Sequence, residues 1–217
     1  MTTSYAFIGG TGPEGLGLAV RLALTGQPVI IGSRVLERAQ EATQKIREAV
    51  PSARVEGLLN LEAAQKGDIV FITVPFSAQR DTLVPLRTHL AGKIVVSVVS
   101  PLAFERGRAR AIRVEEGSAA EQARALLPES RLVSAFHNVS AEDLIVPDRD
   151  LGCDVVACGD DQEAKQVVMK LAAGIKGIRA IDGGPLANSR YVEDLTALLL
   201  NINRIYKAHT SIKIIGL

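Results

Sequence analysis

The chain has 217 residues, 47% of them hydrophobic, and a formal net charge of +1. This apolar content is enough for a substantial core, which excludes a disordered chain. The near-zero charge and the absence of tryptophan argue against nucleic acid or an anionic membrane as a partner. No apolar segment reaches about 18 residues and no basic leader is present, so we expect a soluble, cytoplasmic protein.

The first strand and helix flank a glycine-rich turn. Tyr5–Ile8 is a short apolar run typical of a strand, and helical spacing of apolar residues predicts a helix over 16–24. Between them, Gly10, Gly12 and Gly15 form a G-x-G-x-x-G motif. In a dinucleotide-binding fold these glycines allow the tight turn, the close approach of a pyrophosphate, and the packing of helix on strand, respectively. The strand–turn–helix context therefore predicts a dinucleotide site.

The second strand indicates which dinucleotide binds. An NAD-binding protein usually places an acidic residue about 20 residues after the glycines, where it holds the ribose 2′-hydroxyl. Here the strand at 29–31 is followed instead by Ser33 and Arg34, with Arg38 one helical turn later. A hydroxyl and two guanidinium groups suit a 2′-phosphate, so we predict NADP rather than NAD. The alternative is that the two arginines are a solvated pair at the start of a helix.

Strands and helices then alternate to residue 138. The pattern predicts helices over 35–50, 60–65 and 77–89, and strands over 54–58, 68–74 and 93–99. Near-continuous Ile and Val runs that alternate with helices predict a Rossmann-type, doubly wound parallel sheet. Residues 104–116 interrupt the alternation, and we predict a basic loop that holds Arg106, Arg108, Arg110 and Arg113. A capped helix over 118–127 and a strand over 131–136 complete the NADP-binding domain, which we assign to residues 1–138.

The last part, residues 139–217, is predicted to be a smaller α/β unit. We expect it to contribute to dimerisation and to the site of the second substrate, which accepts a hydride from the dinucleotide and is called the acceptor. It has strands over 154–158 and 179–181, a helix that begins near Asp160 and Asp161, and a long helix that opens at Pro185. This helix is apolar nearly all round between 195 and 200, so it must be buried in the core or against another subunit. We expect a homodimer.

The two cysteines and three histidines offer few candidates for chemistry. Cys153 and Cys158 are predicted to be reduced core residues, and no His, Cys, Asp or Glu cluster has metal-binding spacing. His137 is the only histidine at the carboxyl end of a predicted strand. It either donates a hydrogen bond to a carbonyl of the acceptor or is a polar residue that ends the strand.

Six segments together carry a family resemblance. They are Gly9–Gly12 with Gly15, Gly32–Arg34, Thr73–Phe76, Ser118–Glu121, Cys158–Asp161 and Gly184–Arg190. In this order the series resembles the F420-dependent NADP reductase family, which transfers a hydride between NADPH and the 8-hydroxy-5-deazaflavin coenzyme F420. The resemblance spans nearly the whole chain. In the family Phe76 is often a tryptophan, and Asn138 and Ser140 stand where Thr and Pro are frequent.

The resemblance implies a set of site residues. The adenosine end and the phosphates of NADP are assigned to Thr11, Gly12, Pro13, Glu14, Ser33, Arg34 and Arg38. Phe76 and Ala78 flank the cofactor further along, and we also place Gly10, Gly15, Val74, Pro75 and Pro101 in the cofactor site. His137 matches a histidine near the deazaflavin, and with Asn138 it is predicted to bind the acceptor, His137 acting by positioning.

The acceptor remains open at this point. It is coenzyme F420 or a flavin-like molecule by resemblance, and the alternatives are a small imine or carbonyl compound, or a sensing module that binds NADP(H) without turnover. Hydride transfer needs mainly positioning, so the lack of acid–base machinery fits an oxidoreductase. The arginines of 106–113 either attract the anionic tail of coenzyme F420 or pair with Glu105, Glu115 and Glu116 in a solvated loop.

Overall fold

A computed structural model describes residues 2–217 as an eight-stranded sheet with helices packed against it and a separate β-hairpin. The strands are β1 (Tyr5–Ile8), β2 (Val29–Ser33), β3 (Val55–Leu59), β4 (Ile69–Ile72), β5 (Ile94–Ser97), β6 (Leu102–Glu105), β7 (Arg108–Ala111), β8 (Arg131–Ser134), β9 (Cys153–Gly159) and β10 (Ile178–Asp182). The helices are α1 (Pro13–Ala23), α2 (Leu36–Ala49), α3 (Asn60–Lys66), α4 (Phe76–Leu83), α5 (Arg87–Leu90), α6 (Ala119–Leu126), α7 (Ala141–Leu144), α8 (Gln162–Ala173) and α9 (Ser189–Tyr206).

The strand order of the sheet is β10-β9-β8-β5-β4-β1-β2-β3. All neighbours are parallel except β8 and β9, and β1 lies between β2 and β4, with Tyr5 opposite both Val29 and Ile69. The chain therefore winds in one direction from β1 to β3 and in the other from β4 onwards. This confirms the predicted doubly wound fold, and it opens a crevice at the carboxyl ends of β1 and β4, where such folds bind ligands.

The sheet is covered on both faces because its strands are apolar on both sides. In β1, Phe7 faces one core while Ala6 and Ile8 face the other, as the two-residue period of a strand requires. The Phe7 ring stacks on Phe71 of β4 with centroids 4.7 Å apart. Helices α1, α2 and α8 cover the first face, and α3 and α6 cover the second. The buried ring pair fixes the register of β1 against β4, directly beneath the crevice.

The C-terminal strands continue the same sheet. β9 joins β8 through a short antiparallel contact, with Val133 opposite Gly159 and Ser134 opposite Cys158, and β10 lies parallel to β9. The predicted long final helix is confirmed as α9. It begins at Ser189 and not at Pro185, because the Asp160 carboxylate accepts a hydrogen bond from the Leu186 N–H and a 3₁₀ turn precedes the helix. The boundary at residue 138 stays a prediction.

Two predicted elements differ from the structure. The prediction of a basic loop over 104–116 is wrong, because residues 102–111 form the antiparallel hairpin β6–β7. Arg106 and Gly107 both have positive φ, 49° and 74°, which matches the tight turns that join antiparallel strands. Asn201 of α9 holds the hairpin, since its side chain bonds both the N–H and the carbonyl of Ala109 at 3.1 and 2.8 Å. The predicted helix 77–89 is interrupted at residues 84–86, where Pro85 cannot donate a backbone hydrogen bond.

Several smaller expectations meet the structure as follows. Cys153 and Cys158 are buried free thiols, as predicted. Arg110 pairs with Glu105 at 3.3 Å on the surface, where such a pair contributes little to stability, whereas Glu116 pairs with Arg80. No helix within residues 2–217 has the length and apolarity of a membrane span.

Candidate functional site

The turn between β1 and α1 is held open by its glycines. Gly9, with φ of 74°, is the left-handed residue of this turn, and Gly10 closes the turn, since its N–H donates to the Phe7 carbonyl at 3.2 Å. A Cβ on Gly10 would lie 2.6 Å from the Cβ of Phe7, and one on Gly15 would lie 2.7 Å from Thr73 Oγ1. These two glycines let the helix pack against the strands. A Cβ on Gly12 would meet nothing within 4 Å, so the space above it is free for a ligand.

The N-terminus of α1 is built to receive an anion. Its N-cap, Gly12, offers no side-chain hydrogen bond, and Pro13 occupies the first turn. The first N–H groups of a helix have no partner inside the helix, and the helix dipole is positive at this end. The Asn60 side chain accepts a hydrogen bond from the Gly9 N–H at 3.1 Å and so holds the turn from the side. This arrangement suits a pyrophosphate.

A cavity of about 730 Å³ lies over the carboxyl ends of the strands. Twelve of the predicted site residues line it: Thr11, Gly12, Pro13, Glu14, Ser33, Arg34, Arg38, Val74, Pro75, Phe76, Ala78 and His137. We call it the main cavity. Arg34 follows β2 and His137 follows β8, and four strand spacings of about 4.8 Å separate these strands, so the cavity is about 19 Å long. That length suits an extended dinucleotide.

Four predicted residues do not line the main cavity. Gly10 and Gly15 lie beneath it as packing positions, as described above. Pro101 lines a neighbouring cavity of about 800 Å³, the second cavity, together with Arg113, Arg190 and Asp194. Asn138 lines a smaller one of about 210 Å³, the small cavity.

The arginines lie at one end of the main cavity. Arg34, just before α2, and Arg38, in its first turn, are both exposed and both line this cavity. Ser33 is buried beside them, and its hydroxyl accepts a hydrogen bond from the Val35 N–H at 3.2 Å. Two exposed guanidinium groups next to a hydroxyl suit a phosphate group.

A polar network closes the other end. Thr196 of α9 donates a hydrogen bond to the His137 carbonyl at 3.0 Å and lies 3.0 Å from the Ser100 hydroxyl. The Asn138 amide donates to the Val192 carbonyl at 2.9 Å. The network ties α9 to the segments after β5 and β8. Asn138 is thus engaged with the protein itself, and its predicted contact with the acceptor stays a prediction.

Comparison with known proteins identifies the family. A family model described as NADP oxidoreductase, coenzyme F420-dependent, matches residues 4–101. The F420-dependent NADP reductase of Methanocaldococcus jannaschii is 43% identical over 98% of both chains, and that of Methanothermobacter thermautotrophicus is 40% identical over 94% of this chain and 90% of its own. The chain belongs to the F420-dependent NADP reductase family. The predicted family is therefore confirmed.

A solved structure supports the fold of this family member. A protein from Arthrobacter sp. FB24 superposes with a TM-score of 0.85 over 100% of both chains, at 24% sequence identity. At this identity the match supports the fold alone. It covers the C-terminal strands and α9 as well as the strands and helices before them, so the fold is shared along the whole chain.

His137 is held in a strained segment of this reductase-family site. The residue before it, Phe136, is buried and has φ of 71°, an uncommon conformation for a bulky side chain. Such strain costs about 1–3 kcal/mol and is typical of functional sites. Both ring nitrogens of His137 are buried and have no hydrogen-bond partner within residues 2–217, and burial lowers the pKa of the imidazole to about 3. The imidazole is therefore neutral at pH 7.

Glu14 is the second titratable group at the site, and its side chain is partly buried. Its Oε1 is inaccessible to solvent and has no hydrogen-bond partner among residues 2–217, and burial raises the pKa of its carboxyl to about 8. Glu14, His137 and Thr196 line both the main cavity and the small cavity, so they form the wall between the two. We call these three residues the shared wall.

Sequence reasoning missed several lining residues. They are Asn60, Thr73, Thr82, Val98, Val99, Ser100, Leu102 and Thr196. Asn60, at the carboxyl end of β3, and Ser100, just beyond β5, had a usable signal, because polar residues near parallel strand ends in this fold face the crevice. Thr196 had none, since it lies in the middle of a long helix and 59 residues after its partner His137.

Proposed function

We propose that this protein transfers a hydride between NADP(H) and coenzyme F420. The observation that carries the proposal is a single cavity that joins a two-arginine phosphate site to the neutral, buried His137 across the switch point of the sheet. Relatives at 40–43% identity are F420-dependent NADP reductases, and these matches cover nearly the whole of both chains. The protein is therefore an NADP-dependent oxidoreductase.

The main cavity fits NADP(H) group by group. The open N-terminus of α1 above Gly12 suits the pyrophosphate, and Ser33, Arg34 and Arg38 suit the 2′-phosphate of the adenosine. Phe76 follows β4 and lines the middle of the cavity. The nicotinamide then lies towards the shared wall, because the phosphate site occupies the opposite end.

The second cavity suits the anionic tail of the acceptor, and the deazaflavin ring would then enter the main cavity beside the nicotinamide, on the side of Glu14 and His137. Ser100 and Leu102 line the main cavity whereas Pro101 between them lines the second one, so the two cavities meet at this segment. Arg113 and Arg190 bring two guanidinium groups to the second cavity, whose lining also holds the carboxyl groups of Glu115, Glu193 and Asp194. Coenzyme F420 carries a phosphodiester and a polyglutamate tail, and guanidinium groups pair well with such anions. Pro101 accordingly belongs to the acceptor side in this proposal.

The chain's residues act mainly by positioning. Hydride transfer requires the donor and acceptor carbons at about 3–3.5 Å with aligned orbitals, and the two coenzymes supply the reactivity. The Thr196–Ser100 contact holds the segments on both sides of the meeting point, and the strained Phe136 fixes the backbone of His137. A neutral imidazole can donate one hydrogen bond to an acceptor carbonyl without adding charge.

The test is steady-state oxidation of NADPH with coenzyme F420, with FMN, and with a panel of small imines and carbonyl compounds. We expect turnover with coenzyme F420 and at most slow turnover with the others. Turnover with an imine or carbonyl compound alone would contradict the proposal in favour of a reductase of small substrates. Tight NADPH binding without turnover of any acceptor would favour a sensing module.

We also propose that α9 pairs with its copy in a homodimer. Leu198, Ile205 and Tyr206 of α9 are 55%, 69% and 74% exposed in the single chain. Sedimentation of Leu198→Glu is expected to show a monomer where the wild-type protein sediments as a dimer. Val167→Glu, at an exposed position on α8, is the control and should leave the dimer intact. Leu199 is buried, so substituting it would test folding instead.

A further inference from the structure

The shared wall holds a carboxyl group without a protein partner. Glu14 is the second residue of α1, and its Oε1 is buried and unpaired between two cavities. A buried polar atom without a hydrogen bond costs free energy, and it is normally satisfied by water or a ligand. Glu14 lies beside His137, away from the arginine end of the main cavity. We call the part of this cavity at Glu14 and His137 the redox end, and the missing partner of Glu14 belongs there.

The proposed reaction needs a proton as well as a hydride. Reduction of a 5-deazaflavin adds a hydride at C5 and a proton at ring nitrogen N1, so NADPH alone does not supply all the atoms. Of the shared wall, Thr196 already donates its hydroxyl hydrogen within the protein, and His137 is neutral and has no acidic proton at pH 7. Glu14 is left as the group that can hold and release a proton there.

We propose that Glu14 supplies the proton that accompanies hydride transfer, being neutral beside reduced nicotinamide and ionised beside oxidised nicotinamide. The proposal rests on the proposed function. The C4–H bond of the nicotinamide breaks, and its proton and two electrons leave as a hydride that forms the C–H bond at deazaflavin C5, while the Glu14 O–H bond breaks and its proton bonds to N1. The products are NADP⁺, the reduced acceptor and the Glu14 carboxylate, which takes a proton from water after NADP⁺ leaves.

The electrostatics of the site favour this coupling. The Glu14 carboxyl has a pKa of about 8, so about nine-tenths of it is protonated at pH 7. A positive charge within about 4–6 Å lowers a carboxyl pKa by about 1–3 units, and oxidation gives the nicotinamide ring such a charge. The carboxylate formed on proton transfer would in turn stabilise the oxidised ring.

Other charged groups face the same cavities and must be considered. Arg34 and Arg38 line the far end of the main cavity, and Glu142 and His209 line the small cavity, where they pair with each other at 2.8 Å. Arg34 and Arg38 would meet the same 2′-phosphate in NADP⁺ and in NADPH, and Glu142 and His209 lie outside the main cavity. A difference between the two nucleotides therefore isolates a group that senses the charge of the nicotinamide.

The experiment measures proton release when each nucleotide binds. Calorimetric titrations of NADP⁺ and NADPH at pH 7, in two buffers of different ionisation enthalpy, give the number of protons released. If the oxidised ring lowers the Glu14 pKa by about two units, the wild-type protein should release about 0.8 proton more with NADP⁺ than with NADPH. The affinity for NADP⁺ relative to NADPH should then rise up to about tenfold per pH unit towards pH 8 and level off above it.

Three variants decide the source of that proton. Glu14→Gln keeps the shape and Glu14→Leu removes the polar group, and both should abolish the difference between the nucleotides. Glu142→Gln, in the small cavity only, should retain it. Equal proton release for both nucleotides in the wild type, or a difference that persists in Glu14→Gln, would overturn the proposal while leaving NADP(H) binding intact. Failure of either nucleotide to bind would overturn the proposed function as well.

Discussion

The N-termini of α1 and α6 are the same local structure put to opposite uses. At α6, Ser118 caps the helix, and the Glu193 carboxylate of α9 accepts hydrogen bonds from the Ala119 and Ala120 N–H groups at 2.7 and 3.0 Å. At α1, the cap is Gly12, with no side-chain hydrogen bond and open space above it. The protein itself fills the first anion site and leaves the second for a substrate.

The comparison extends to the two glutamates near these helix ends. Burial raises the pKa of Glu193 to about 7 although two backbone N–H groups stabilise its ionised form. Burial raises the pKa of Glu14 to about 8, and its Oε1 has no partner. A buried carboxyl with partners holds two helices together, whereas one without partners in a cavity wall can serve a reaction. The predictions below test this division.

The largest effect is expected from removing the Glu193 carboxylate that fills the N-terminus of α6. Glu193→Ala leaves the Ala119 and Ala120 N–H groups buried without acceptors and opens a void between α6 and α9. Each buried N–H left without an acceptor costs about 1–3 kcal/mol, so the free energy of unfolding should fall by about 2–6 kcal/mol. Urea denaturation followed by circular dichroism measures it. Wild-type stability in this variant would show that the carboxylate does not close the helix.

The pH dependence of stability tests the same carboxylate. The folded-state pKa of Glu193, about 7, lies above the ordinary value of 4.5, so the folded protein holds this proton more tightly than the unfolded chain does. The stability that protonation of Glu193 contributes to the folded protein is fully present below pH 4.5. It is lost as the pH rises to about 7, and the free energy of unfolding then no longer depends on this group.

Glu193→Gln cannot titrate and is the reference for this measurement. The free energy of unfolding of the wild type relative to this variant should fall by at most about 3 kcal/mol across the window. Glu14 titrates in both proteins and cancels in the comparison. A difference that does not change with pH would contradict the raised pKa of Glu193.

At the arginine end of the main cavity, Arg34→Ala should weaken the binding of NADPH but not that of NADH. A charge-assisted hydrogen bond contributes about 1.5–3 kcal/mol, so NADPH affinity should fall by about one to two decades while NADH affinity stays unchanged. Fluorescence titration of both nucleotides measures this. Lys45→Ala, on the exposed side of α2 and outside the cavity, is the control and should change neither. Equal losses for the two nucleotides would rule out a 2′-phosphate site.

The smallest effect is expected when one methyl group is added at the uncapped N-terminus of α1. Gly12→Ala meets no atom of residues 2–217 within 4 Å, and its φ of −76° suits alanine, but alanine is a poorer N-cap residue than glycine, so the free energy of unfolding should change by less than about 1 kcal/mol. The methyl group takes ligand space, and overpacking of this kind costs about 1–3 kcal/mol, which weakens NADPH binding by up to about two decades.

Gly15→Ala is the matched contrast to this variant. Its Cβ would lie 2.7 Å from Thr73 Oγ1 and 2.9 Å from the Gly10 Cα, so both stability and NADPH affinity should fall. If Gly12→Ala bound NADPH as tightly as the wild type, the N-terminus of α1 would not be the pyrophosphate site.

Most of the fold and half of the site were within reach of the sequence. The strands, the amphipathic helices, the G-x-G-x-x-G turn and the Ser33–Arg34 pair depend on residues close together in the chain, so their patterns are visible in it. These features predicted the doubly wound sheet, the dinucleotide cavity and its arginine end. The hairpin β6–β7 was missed because its arginines mask the short apolar pattern and its anchor, Asn201, comes from another element.

The contacts around Glu14 and His137 could be known only from the tertiary structure. Thr196 meets His137 across 59 residues, and Glu193 meets Ala119 across 74, so no local pattern announces either contact. The same holds for Glu14, which in the sequence is an ordinary acidic residue in the first turn of a helix. Only packing of α1 beside the segment after β8 removes its Oε1 from water. Sequence determined where the chain turns and what charge it carries; burial, which depends on every neighbour at once, determined which of those charges can titrate near pH 7.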